Sequence, residues 1–182
     1  MDFTPLTLEG VVLIRPRVWD DGRGFFFESW HHQKFSAAGI PAQFVQDNHS
    51  QSARGTLRGL HYQIQQPQGK LVRVTAGEVY DVVVDIRRSS PTFGQWLGCT
   101  LSAENRHMLW VPPGFAHGFY VVSECAEFLY KCTDFYAPEH ERSIRWDDPD
   151  LDITWPLVDG SAPILSKRDA AGTLLRDAEL FP

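Results

Sequence analysis

The sequence predicts an all-β fold, a sandwich or closed barrel with short peripheral helices, and three observations carry that reading. Short runs rich in Val, Ile, Phe and Tyr alternate with Gly, Pro, Asn and Asp along most of the chain. About ten such runs fall within one domain's length, 182 residues, so the expected unit is a single domain over residues 1–182. Helical patterns are short. Many short strands in one domain bury their apolar faces by folding sheet on sheet, and closure removes exposed edges.

In order along the chain, strands are expected at Val11–Pro16, Gly24–Glu28, Phe44–Ser50, Leu57–Gln63 and Lys70–Ala76. Further strands are expected at Glu78–Arg87, Gln95–Leu101, His107–Val111, Gly118–Val122 and Ala126–Asp134. Ala76-Gly77 lies between two strong β runs and reads as a hairpin turn. His31–Ala38 reads as a short helix stopped by Gly39-Ile40-Pro41, and Ala170–Ala178 as another. Ala103-Glu104-Asn105 reads as a tight turn.

Composition narrows the partners. Hydrophobic residues make up 43% and aromatics 13%, enough for a sizeable core. A net charge of −6 argues against nucleic acid, whose phosphates need an excess of Lys and Arg, but leaves room for a small anionic ligand. Met1–Gly10 has neither the basic nor the apolar region of a secretory signal, and no apolar run is long enough to span a bilayer. Cys99, Cys125 and Cys132 are odd in number, with no CxxC, which points to reduced thiols and a cytoplasmic location.

Several segments carry chemistry. In Arg54-Gly-Thr-Leu-Arg-Gly-Leu-His-Tyr-Gln63, strand alternation places Leu57, His61 and Gln63 on one side, with Gly55 and Gly59 as candidate bulges. An imidazole, with an ordinary pKa of about 6.5, suits proton abstraction near neutral pH. The competing reading of His61 is a core side chain satisfied by backbone groups. Pro112-Pro-Gly-Phe-Ala-His117 fits the P-x-G-x-x-H pattern of the second cupin motif, so the all-β fold is read as a cupin-type barrel. A metal-binding first motif needs His-x-His and a following Glu, whereas here His61-Tyr62-Gln63 is followed by Gln65, Gln66 and Gln68. Amides are poor replacements for such ligands, so no metal is expected, and polarising a carbonyl must fall to a protein cation or a hydrogen-bond donor. Lys70, on a strand face shared with Val72 and Val74, is the candidate, against the alternative of a strand-end Lys reaching solvent.

Tyr130 shares an apolar face with Phe128 and Cys132, and is either core or a general acid. Asp169, in Ser166-Lys-Arg-Asp169, is either a cap or surface residue, or the group that orients His61. In Asp20-Asp-Gly-Arg-Gly-Phe-Phe-Phe-Glu28, one aromatic face can fill a core and leave Phe26 beside Arg23 and Glu28 for a ligand or a second subunit.

Together these motifs resemble the dTDP-4-dehydrorhamnose 3,5-epimerases, from Arg23 to Asp169. The match includes Arg23-Gly-Phe-Phe-Phe-Glu28, Gln46-Asp-Asn-His-Ser50, Leu57-Arg-Gly-Leu-His-Tyr-Gln63 and Gln68-Gly-Lys-Leu-Val-Arg73. It continues through Asp85-Ile-Arg-Arg-Ser-Ser-Pro-Thr-Phe-Gly94, Pro113-Gly-Phe-Ala-His-Gly-Phe119 and Phe128-Leu-Tyr-Lys131. The resemblance implies a cupin-type jelly roll that dimerises by strand exchange, and a dTDP-4-keto-6-deoxyhexose as substrate. It implies that His61 is the base, paired with Asp169, that Tyr130 is the acid on the opposite sugar face, and that Lys70 stabilises the enolate. Arg58 and Arg23 would bind the diphosphate, with Arg23, Phe26 and Glu28 supplied by the neighbouring subunit. Gln46, Asp47, Asn48, His117 and Glu141 match positions of the nucleotide-sugar site, and Tyr136 the position that stacks on thymine. Arg168 stands where the family usually has Lys, which keeps the charge but not the contact geometry.

The chemistry agrees with the residue types. A C4 ketone acidifies the hydrogens on C3 and C5, and the enolate formed needs a nearby positive charge. Inversion needs a separate acid on the other face. No redox cofactor is expected, and there is no GxGxxG turn. Three other readings stand beside this one: an epimerase acting at C3 alone or C5 alone, a noncatalytic cupin that binds a sugar nucleotide, and a metal-dependent cupin oxygenase or isomerase.

Overall fold

The computed structural model describes residues 1–40 and 43–182, so the Pro41 stop signal lies outside the described residues. Two antiparallel sheets face each other. The first contains β1 (Asp2–Pro5), β2 (Val12–Arg15), β5 (Gln46–Ala53), β7 (Lys70–Ala76), β10 (Met108–Val111) and β12 (Cys125–Cys132). Its spatial order is β1-β2-β10-β7-β12-β5. The second contains β6 (Leu57–Gln63), β8 (Glu78–Asp85), β9 (Trp96–Ser102), β11 (Phe115–Val121) and β13 (Glu141–Ser143), ordered β13-β6-β11-β8-β9. A separate hairpin joins β3 (Trp19–Asp21) to β4 (Gly24–Phe26). The helices are short, α1 (His32–Ala37) and α2 (Lys167–Ala170). This is the expected all-β, cupin-type jelly roll, and none of its helices among the described residues is long and apolar enough to cross a membrane.

The inner faces meet in one apolar cluster. Val72, Val74 and Phe128 come from the first sheet, and Val79, Val83 and Phe119 from the second. Phe119 and Phe128 stack across the gap with centroids 4.2 Å apart. Burying side chains of this size stabilises by roughly 1.5–3 kcal/mol each relative to exposure. A second cluster lies behind the five-stranded sheet, where Leu57, Leu60 and Tyr62 pack under Leu151, Trp155 and Leu175 of the C-terminal segment. A third lies behind the six-stranded sheet, where Ile14, Leu71 and Met108 meet Phe35 of α1.

Three expectations need correction. Ala76-Gly77 does not close a hairpin, because β7 belongs to the first sheet and β8 to the second. Gly77 turns the chain between them with φ +72°, and a Cβ there would sit 1.9 Å from the Cys125 carbonyl oxygen. Ala170–Ala178 is not one helix. Gly172 passes against the backbone of Arg145, and Thr173 bonds to Ser143 and Arg145, which stops helical continuation. Nor does Leu57 share a face with His61. The pairing of β6 with β11 slips near Gly59, so Leu57 joins Leu60 and Tyr62 in the outer cluster. Arg58, His61 and Gln63 border the cavity described next. Gly59 has φ +140°, and a Cβ would meet Gly118 Cα at 2.5 Å, so two glycines at this crossing let the strands approach. The short strands β1, β3 and β13 lie outside every expected run.

Candidate active site

A cavity of about 410 Å³ opens between the two sheets, and strand register explains what lines it. On the six-stranded sheet, Gln46, Cys132 and Lys70 lie side by side across β5, β12 and β7. One step along, Asn48, Tyr130 and Val72 form the next row. On the opposing sheet, Ser143, His61, His117 and Val83 form a row across β13, β6, β11 and β8. His61 and Tyr130 therefore rise from opposite sheets into one space, which both line together with Lys70.

His61 is not a core imidazole satisfied by backbone groups. Its Nε2 faces Asp169 Oδ1 at 2.7 Å across a sequence separation of 108 residues. Asp169 is both a cap residue and the partner of His61. Its Oδ2 accepts from the Ser166 hydroxyl at 2.5 Å in a capping box at the start of α2. Its Oδ1 also accepts from the Gly59 backbone N–H at 3.1 Å. Burial pushes this carboxyl up, but the hydrogen bonds from His61, Ser166 and Gly59 outweigh it and hold Asp169 well below the ordinary carboxylate range. An ionised Asp169 accepts a hydrogen bond from the Nε2–H of His61, which keeps that proton on Nε2 and leaves the lone pair on Nδ1.

Lys70 lines the cavity, the inward one of the two readings left open by its sequence, and among the described residues it has no carboxylate within ion-pair distance. Burial pulls its ammonium below the ordinary lysine range, against the pull of Cys132, Glu141 and Asp81. Burial likewise raises the Tyr130 phenol, with the neighbouring Cys132 and Glu141 adding to the effect. His117 is buried with its Nε2 2.9 and 3.0 Å from the two oxygens of Asp81, a carboxylate with no exposure. Asp81 was not among the expected site residues. Its signal was a lone carboxylate in the apolar run Val79–Val84, where an unpaired charge would be costly. Each imidazole is thus engaged by its own carboxylate. Among the described residues no three His, Cys, Asp or Glu side chains converge as metal ligands.

At the mouth, the Tyr136 hydroxyl donates to Glu141 at 2.6 Å, and the Arg168 guanidinium reaches both residues. Arg58 donates to the Ser52 hydroxyl at 3.0 Å and has no carboxylate partner among the described residues. The structure leaves four expected site residues outside. Asp47 alternates to the opposite face of β5 from Gln46 and Asn48 and pairs with Lys131 at 2.9 Å. Arg23 pairs with Asp21 at 2.7 Å, Glu28 pairs with Lys34, and Phe26 is 67% exposed on the β3–β4 hairpin.

Comparison with known proteins identifies the family. The family described as dTDP-4-dehydrorhamnose 3,5-epimerase matches residues 5–177. A curated dTDP-4-dehydrorhamnose 3,5-epimerase of Pseudomonas aeruginosa is 63% identical over 183 aligned residues, covering 100% of both chains. The crystal structure of a dTDP-6-deoxy-D-glucose-3,5-epimerase from Legionella pneumophila, in complex with dTDP-4-keto-L-rhamnose, superposes with a TM-score of 0.94. It is 52% identical, with 98% of this chain and 94% of that one covered. A 3'-monoepimerase from Streptomyces bikiniensis, in complex with dTDP-quinovose, is 36% identical with a TM-score of 0.89 and coverage of 95% and 87%. Likeness of this extent shows that the chain belongs to the dTDP-4-dehydrorhamnose 3,5-epimerase family.

Proposed function

We propose that this protein inverts C3 and C5 of dTDP-4-dehydro-6-deoxy-D-glucose, giving dTDP-4-dehydro-L-rhamnose. The observation that carries the reading is the placement of His61 and Tyr130 on opposite sheets across one cavity. His61 Nδ1 takes the proton from the carbon beside the C4 ketone, and the C–H electron pair moves into an enolate. Lys70 holds the negative oxygen, and Asp169 stabilises the imidazolium. Tyr130 gives its phenolic proton to the opposite face of that carbon. Solvent then takes the proton from His61 and returns one to Tyr130, and the cycle repeats at the second carbon. The oxidation state does not change, so the chemistry calls for no redox cofactor.

Arg58 lies where a diphosphate can be met without a competing carboxylate, and Tyr136 offers a ring at the mouth for the nucleobase. Gln46, Asn48, His117, Glu141 and Arg168 border the same space. Arg23, Phe26 and Glu28 complete the site of a second copy of the chain. Their support is an exposed aromatic hairpin, with Trp19 45%, Phe25 57% and Phe26 67% exposed, of the kind that marks an interface.

The stronger likeness to two-centre epimerases favours inversion at both carbons over C3 alone. The test is turnover of dTDP-4-dehydro-6-deoxy-D-glucose in deuterated water, followed by proton NMR. The expected product has the L configuration with deuterium at C3 and C5. Deuterium at one carbon would establish a monoepimerase, and tight binding without exchange a noncatalytic binder.

A further inference from the structure

The segment Asp134–Ala137, which carries Tyr136 at the cavity mouth, has no regular secondary structure. Apolar burial does not hold it at its centre, where Phe135 is 61% and Tyr136 48% exposed. Its backbone groups still need partners, and side-chain amides of three glutamines provide them. Gln68 Nε2 donates to the Asp134 carbonyl at 2.9 Å. Gln63 Nε2 donates to the Phe135 carbonyl at 3.2 Å. The Tyr136 N–H donates to Gln46 Oε1 at 2.9 Å, and the Ala137 N–H to Gln63 Oε1 at 3.0 Å. Four consecutive residues are thus gripped from β5, from the end of β6 and from the turn after it. Gln63 is itself fixed, being 4% exposed and donating to the Gln66 carbonyl at 2.8 Å.

We propose that Gln63 and Gln68, with Gln46, form an amide bracket that positions Tyr136 and so sets affinity for the nucleobase half of the substrate. Gln63 occupies the place where a metal-binding first motif would carry its second imidazole. Here the side chain serves the backbone of the loop. The pattern demands amides, since Gln63 donates and accepts at once, which neither a carboxylate nor a thioether does. A loop held in its binding shape loses less freedom when ligand arrives, so the bracket acts on affinity and leaves the proton transfers alone. Gln63 and Gln68 are positioning residues. The inference rests on the reading of Tyr136 as the base-contacting ring.

The experiment compares Gln63→Met, Gln68→Met and Tyr136→Ala, with each double variant, by calorimetric binding of dTDP and of inorganic pyrophosphate and by steady-state kinetics. Gln68→Met lies at a half-buried position and serves if Gln63→Met fails to fold. The expected result is a rise in dTDP Kd and in KM of about five- to tenfold. Pyrophosphate binding should stay unchanged and kcat within about twofold. In the Tyr136→Ala background the bracket substitutions should add little, because both act through one ring. Unchanged dTDP affinity in the glutamine variants, a fall in kcat with KM intact, or additive effects with Tyr136→Ala would each overturn the bracket. Unchanged dTDP affinity in Tyr136→Ala alone would instead remove Tyr136 from the nucleotide site, and the bracket's proposed purpose with it.

Discussion

Replacing Asp169 by Asn tests the dyad with almost no change in shape. All the groups that address its two oxygens are donors: His61 Nε2–H and the Gly59 N–H at Oδ1, the Ser166 N–H and hydroxyl at Oδ2. A carboxylate accepts all of them, whereas an amide offers one oxygen and one NH2 group. If the NH2 faces His61, it donates to Nε2 and forces the proton onto Nδ1, which removes the lone pair needed as base. If the oxygen faces His61, the imidazolium formed in the reaction loses its counter-charge, and the NH2 opposes the Ser166 N–H. Either way the loss is that of a general base held in the wrong state, about a thousandfold in exchange rate, or about 4 kcal/mol of barrier. Stability should fall by about 2 kcal/mol, since charge-assisted hydrogen bonds in a buried site are weakened. The assay is deuterium wash-in at C3 and C5 followed by NMR, with dTDP affinity measured alongside. Exchange within a few-fold of the parent protein, in a folded variant that binds dTDP normally, would refute the argument.

Two other predictions concern Tyr130 in the cavity and Asp85 in a separate hydrogen-bonded cluster. Tyr130→Phe keeps His61, Asp169 and Lys70, so it should retain proton exchange with solvent while losing inversion; full epimerisation by this variant would remove Tyr130 from the mechanism. Burial opposes ionisation of Asp85, but hydrogen bonds from Arg87, Ser90 and Thr92 hold its pKa at about 2. A lowered carboxyl pKa contributes stability that is present above the ordinary carboxylate range and lost as pH falls towards the folded value. For Asp85 this is roughly 2 kcal/mol, lost between about pH 4 and pH 2. Urea titrations across that window should show a shallower acid decline in Asp85→Asn than in the parent, and parallel curves would count against the assignment.

The central strands were legible because their apolar residues alternate, and alternation places Tyr130 with Phe128 and Lys70 with Val72 on inner faces. Sheet membership was not legible. β7 and β8 carry the same local signal, yet they lie in opposite sheets, with Gly77 turning between them close against Cys125. The face of Leu57 was misassigned because the slip at Gly59 depends on Gly118 of another strand. The His61–Asp169 pair spans 108 positions, so local pattern left capping and pairing with His61 as alternatives, and in the structure one side chain both caps α2 and contacts His61. The bracket glutamines carry no periodic signal, since their partners are backbone atoms of a loop.

The account depends on one imidazole serving both carbons. The most direct measurement is deuterium incorporation by His61→Ala with dTDP-4-dehydro-6-deoxy-D-glucose in deuterated water, alongside its dTDP affinity. The account predicts normal dTDP binding with nearly all exchange lost at C3 and at C5. Deuterium entering either carbon at close to the parent rate would contradict it.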